Sequence, residues 1–158
     1  MANNIENTAA PFAQSPPEQD LAAPITATFQ RVLHVEDDES IIAITRVALE
    51  TLGGLSVLSC SYGEQAIEQA PAYAPDLLLL DVMMPDMDGP TTLIELSKVL
   101  DVSRRPVVFM TAKTEEADHQ RYFDLNASAV IVKPFDPVGL AARLGTIWED
   151  FQKQENNP

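Results

Sequence analysis

Glu36, Asp37, Asp81, Thr111 and Lys133 are five side chains of a 158-residue sequence whose types, taken together, suit phosphoryl chemistry. Three carboxylates in one pocket repel each other, and burying them unpaired is costly. A hard cation with oxygen ligands removes that problem; Mg²⁺ typically takes one or two carboxylates, with waters and phosphate completing its shell. A lysine adds a positive point charge and a threonine a hydroxyl donor. Phosphoryl transfer asks for little more than charge around the equatorial oxygens and good positioning. An aspartate carboxylate can itself be the nucleophile, giving an aspartyl phosphate. Each residue alone has a plainer reading. The Glu36-Asp37-Asp38-Glu39 run before a helix suits a solvated cap, Asp81 a cap of the next element. Thr111 alone suits a structural strand end, and Lys133 before Pro134 a surface lysine.

The elements that carry these residues decide between the readings. Residues 76–81 (Asp-Leu-Leu-Leu-Leu-Asp) read as a strand buried on both faces, as in the centre of a parallel sheet covered by helices. Further strands are predicted at 31–35, 55–60, 106–110 and 129–132. A helix is predicted at 40–52, with Ile41, Ile44, Val47, Ala48 and Leu52 on its packed face and Gly53-Gly54 as its stop. Others are predicted at 64–70, ended by Pro71, and from Pro90 to about 100. Two more follow at 115–125 and 137–151. Strands alternating with helices imply an α/β fold, a doubly wound five-stranded parallel sheet with both faces covered. In such a sheet ligands bind at the carboxyl ends of the strands. Those ends carry Glu36-Asp37-Asp38, Asp81, Thr111-Ala112 and Lys133-Pro134, so residues far apart in sequence should converge.

With these motifs in place, the chain resembles the receiver domains of bacterial two-component response regulators, the CheY-like family. The resemblance covers roughly residues 30–148 and rests on four motifs. They are Val35-Glu36-Asp37-Asp38, the run from Asp81 to Gly89 (Asp-Val-Met-Met-Pro-Asp-Met-Asp-Gly), Met110-Thr111-Ala112 and Val132-Lys133-Pro134-Phe135. It implies a five-stranded sheet in the order 2-1-3-4-5, Asp81 as phospho-acceptor, and Mg²⁺ held by Glu36, Asp37, Asp81 and the backbone carbonyl of Met83. Thr111 and Ala112 would bind the phosphoryl group, Lys133 would pair with it, and the Lys133-Pro134 peptide would be cis. The donor would be a sensor histidine kinase or a histidine phosphotransfer protein. The downstream target would dock on the face formed by the fourth helix, fifth strand and fifth helix, and a homodimer is left open. Such a protein is cytoplasmic, and is not an enzyme beyond catalysing its own phosphorylation and slow dephosphorylation. One departure stands out: the family often has an aromatic residue three positions before the lysine, where this sequence has Val130. Lys113 adds a cation two residues after Thr111, near the expected site entrance.

Composition sets the outer limits. Hydrophobic residues make up 46% of the chain, enough for one full core, and the net charge of −14 argues against a nucleic-acid-binding surface. No 18-residue apolar run could span a membrane, and no Lys or Arg precedes Arg31 as a signal peptide would require. Residues 1–28, rich in proline and without periodicity, are predicted to be a flexible tail; residues 29–151 the receiver domain; residues 152–158 a fraying end. With no DNA-binding or catalytic domain after 151, output is expected by protein contact. Cys60 reads as a packed strand cysteine, His34 as a strand residue, His119 as helix surface, and Trp148 as part of the last helix's packed face. Asp86-Met87-Asp88-Gly89 resembles part of a calcium loop but has Met84 where an acid is needed. A metal-dependent phosphatase with an aspartate nucleophile is a rival, but it would want an acid at position 83, where Met83 stands. A scaffold of the same fold that signals without phosphate is another; retention of all five site residues speaks against it.

Overall fold

A computed structural model describes residues 29–157; the predicted tail at 1–28 lies outside them. Five strands alternate with five main helices. They are β1 (Arg31–Val35), α1 (Glu39–Arg46), β2 (Ser56–Cys60), α2 (Gly63–Tyr73), β3 (Leu77–Asp81), α3 (Gly89–Leu96), β4 (Val107–Thr111), α4 (Glu116–Asp124), β5 (Ala129–Val132) and α5 (Leu140–Glu155). A π-helical stretch, Val47–Leu52, continues α1, and a short 3₁₀ turn, Val102–Arg104, precedes β4. The sheet order is β2-β1-β3-β4-β5 with every pair parallel, the predicted architecture.

The leucine run makes β3 the centre. All five of its residues are buried, and alternate side chains feed two cores, one on each face of the sheet. Leu78 and Leu80 join Leu33, Val35 and Phe109 under α2, α3 and α4. Leu77 and Leu79 join Val32, Val108, Met110 and Ile131 under α5 and the π-helical continuation of α1. In register, Val35 pairs with Leu80 and Asp81 with Met110, so Glu36, Asp81 and Thr111 emerge at one edge of the sheet.

Local chemistry explains the helix starts. Asp38 caps α1 by accepting from the Ser40 and Ile41 N–H groups at 2.8 and 3.2 Å. Asp88 caps α3 through the Thr91 N–H at 2.8 Å, with Pro90 in the first turn. Gly89 is required because a Cβ there would collide with the carbonyl of Asp81.

Some boundaries differ from expectation. The second helix does not end at Pro71 but runs to Tyr73. Proline in its last turns forfeits one backbone donor, and the helix then closes on Ala74 in the left-handed conformation at φ 51°. The last helix starts at Leu140, not at Pro137, and continues to Glu155, so residues 152–155 are helical rather than a frayed end. The third helix closes at Leu96, short of the predicted 100. Ile41 and Ile44, placed on the packed face by periodicity, are half-buried and 46% exposed respectively.

Candidate functional site

β1, β3, β4 and β5 deliver one polar group each to the carboxyl edge of the sheet. Glu36 follows β1 and is 1% exposed. Its Oε2 accepts from Lys133 Nζ at 2.6 Å, and its Oε1 accepts from the Asp38 N–H at 3.1 Å. The same Lys133 Nζ lies 2.8 Å from Asp81 Oδ1. Lys133, just past β5, thus bridges two buried carboxylates, one ending the central strand β3 and one following β1 beyond it. Asp37 is exposed, yet one carboxylate oxygen from each of Glu36, Asp37 and Asp81 lies within 4.8 Å of the others. Asp38, the third acid of the run, is spent on its helix cap.

Thr111 ends β4 almost fully buried, its Oγ1 accepting from the Lys113 N–H at 3.1 Å. Beside it the Lys133-Pro134 peptide is cis, as the resemblance implies. A cavity of about 570 Å³ opens over these groups, lined by Glu36, Asp37, Asp81, Met83, Thr111, Ala112 and Lys133. The structure therefore gathers every candidate site residue at one place. It also adds an apolar wall of Ile41, Ile44, Phe135 and Pro137. Sequence periodicity assigned the two isoleucines to the core and missed this wall. The only signal was their position in the first turns of a helix that starts at the acidic run.

The electrostatics follow from crowding. Burial raises the pKa of Asp81; the Lys133 hydrogen bond opposes this and Asp37 adds to it. Burial likewise raises Glu36, again opposed by Lys133. Burial works against the Lys133 charge, but its bonds to Asp81 and Glu36 outweigh it and raise its pKa. One ammonium therefore does not offset the burial and mutual repulsion of its carboxylate neighbours. Oxygen-only ligands, closely set and under-neutralised, fit a hard divalent cation.

Residues at the margin sort clearly. Lys113 turns its side chain to Asp118 at 3.7 Å and does not line the cavity. Val130 is buried on the α4 side of β5. The aromatic contact on that side is supplied from α4, where Tyr122 packs on Phe109 at 5.3 Å between ring centroids. Trp148 packs against Phe29 with ring centroids 5.8 Å apart and the planes tilted by 39°. Cys60 is buried and free, its thiol pushed up to about 11 by burial.

Residues 32–145 match the response regulator receiver domain family. The chain belongs to that family. Among curated relatives, the alkaline phosphatase synthesis transcriptional regulatory protein PhoP of Bacillus subtilis is 38% identical over 120 residues, covering 75% of this chain and 48% of PhoP. The transcriptional regulatory protein YvrH of the same organism is 36% identical, covering 72% of this chain and 46% of YvrH. The chain thus spans about half the length of the curated relatives it matches. Among solved structures, the chemotaxis response regulator CheY4 of Vibrio cholerae is similar with a TM-score of 0.69 and 27% identity, covering 76% of this chain and 99% of that one. As a receiver domain, the protein has its acidic cluster and lysine at the carboxyl edge of a CheY-like sheet. No helix among the described residues is long and apolar enough to cross a membrane.

Proposed function

We propose that this receiver accepts a phosphoryl group on Asp81 from a phosphohistidine of a sensor kinase or phosphotransfer protein, and signals the change by protein contact. The observation that carries the reading is Lys133 Nζ bridging Glu36 and Asp81 at 2.6 and 2.8 Å, inside a cavity where three carboxylate oxygens lie within 4.8 Å. Glu36, Asp37, Asp81 and the Met83 carbonyl would hold Mg²⁺, whose charge would offset that of the incoming phosphoryl oxygens. Asp81 Oδ attacks phosphorus; the P–N bond to the donor breaks, and the donor imidazole keeps the electron pair. Lys133, held by Glu36, remains beside the new phosphate as a counter-charge. The Thr111 hydroxyl donates to one phosphoryl oxygen, and Ala112 borders the same oxygens.

The apolar wall of Ile41, Ile44, Phe135 and Pro137 supports a macromolecular donor, since it offers a partner surface to bury next to the reacting carboxylate. The reaction modifies the protein once and reverses slowly by hydrolysis, so the protein is a switch rather than a turnover enzyme. The modified face, α4, β5 and α5, is where a target binds or leaves, in the cytoplasm where such donors act. Incubation with acetyl phosphate and Mg²⁺ should add one phosphoryl mass at Asp81, and EDTA should prevent it. An Asp81→Asn protein that gains phosphate as readily as wild type would refute the assignment.

A further inference from the structure

Thr111 is the one hydroxyl among the residues lining the cavity. A hydroxyl has a single hydrogen to donate and two lone pairs to accept with. Here one acceptor position is filled by the Lys113 N–H at 3.1 Å, which leaves the hydrogen for an acceptor such as a phosphoryl oxygen. The other end of residue 113 is also tied. Its carbonyl lies 2.9 Å from His119 Nε2; a carbonyl only accepts, so Nε2 carries the hydrogen. Among the described residues this is the one side-chain hydrogen bond from α4 to the backbone of the loop before it. The Lys113–Asp118 ion pair is long, at 3.7 Å, and half exposed, so it contributes little. The His119 ring in turn faces Tyr122 at 6.5 Å, and Tyr122 packs on Phe109, two residues before Thr111 on β4. The contacts form a closed circuit from strand to loop to helix and back to strand.

We propose that His119 is a positioning residue for the phosphoryl group: through the backbone of Lys113 it holds Thr111 in the role of donor and links the site to α4. This rests on the reading of Asp81 as acceptor. The backbone does the linking, so the Lys113 side chain is dispensable. When Thr111 bonds a phosphoryl oxygen, the loop and the first turns of α4 shift with it, without a ring at position 130.

The test uses the full chain with Mg²⁺ and beryllofluoride, a phosphoryl mimic followed by fluorine NMR. His119→Leu should weaken binding about threefold to tenfold, the worth of one neutral hydrogen bond. His119→Gln, which keeps an N–H donor, should restore most of it, and Lys113→Ala should bind like wild type. Independently of any ligand, the Lys113 amide should be protected from hydrogen exchange in wild type and the Gln variant, and unprotected in the Leu variant and in Thr111→Val. If His119→Leu binds like wild type while Thr111→Val is weakened, His119 has no positioning role. Equal weakening in the Leu and Gln variants with lowered melting temperatures would show a structural role only and also overturn the proposal. If wild type takes no beryllofluoride, the acceptor reading fails, whereas the amide protection pattern still reports separately on the His119 circuit.

Discussion

At the scale of single residues, the site is assembled at a cost in stability. Burial raises the pKa of both Asp81 and Glu36 despite the Lys133 contacts, so ionised carboxylates there cost folding free energy at neutral pH. Asp81→Asn removes one of them while keeping its shape. Without divalent cations the variant should be more stable than wild type, as read by thermal melting; a less stable variant would show that the Lys133 pair outweighs the repulsion. His34 is a second costly residue. It is fully buried in the α1-side core, both ring nitrogens lack a hydrogen-bond partner, and its pKa is lowered to about 3, by burial first and the nearby Lys133 charge second. Between about 6.5 and 3 the unfolded chain binds a proton there and the folded chain does not. Stability is therefore lost as pH falls through that window, with a slope approaching about 1.4 kcal/mol per pH unit from this group. His34→Leu should stabilise the protein at neutral pH and flatten its acid limb in urea titrations. An unchanged acid limb would mean that His34 is not neutral in the fold.

At the scale of elements, α4 is thinly anchored. Tyr122 is its only buried residue, set against Phe109, and the remainder of the helix is polar or exposed. A helix held by one aromatic anchor should open locally at a free energy well below that of the sheet. Tyr122→Ala should cost about 3 kcal/mol and accelerate amide exchange in α4 while β3 stays protected. Uniform acceleration in both would indicate that α4 is integral to the global fold. Val130 lies beneath the same helix, and valine has neither a ring nor a polar tip with which to relay a rotamer change. Val130→Ala should therefore leave most beryllofluoride-induced shifts in α4 intact, and Thr111→Ala should remove them. The opposite pattern would place the switch at position 130.

At the scale of the whole molecule, charge is the governing quantity. The 24 acids outnumber the 10 lysines and arginines, so self-repulsion opposes the compact state and added salt relieves it. Mg²⁺ should do more than salt because three carboxylate oxygens converge within 4.8 Å only in the folded chain, and a ligand that binds the folded state alone stabilises it. At matched ionic strength, millimolar MgCl₂ should raise the melting temperature above that in NaCl. The difference should vanish in Asp37→Asn, whose fold does not depend on that exposed side chain. Equal melting temperatures in the two salts would argue against a metal site.

Much of this was legible in the chain itself, because the signals are local. Four leucines between two aspartates define a doubly buried strand whatever surrounds it, and apolar runs ending in Glu36, Asp81, Thr111 and Lys133 mark one edge of a parallel sheet. Hydrophobic period and strand ends therefore determined the element order, the sheet class and the identity of the candidate site. Tertiary structure alone decided how the acids divide their work: Asp38 turns back to cap α1, while Glu36 meets a lysine 97 residues away. It alone turned Ile41 and Ile44 from core into cavity wall, carried α2 through Pro71, and extended α5 to Glu155. It also left His34 without a hydrogen-bond partner and supplied the aromatic on the α4 side from Tyr122 rather than from β5. These outcomes depend on which surfaces meet across the sheet, and periodicity along one segment carries no information about the partner that segment will face.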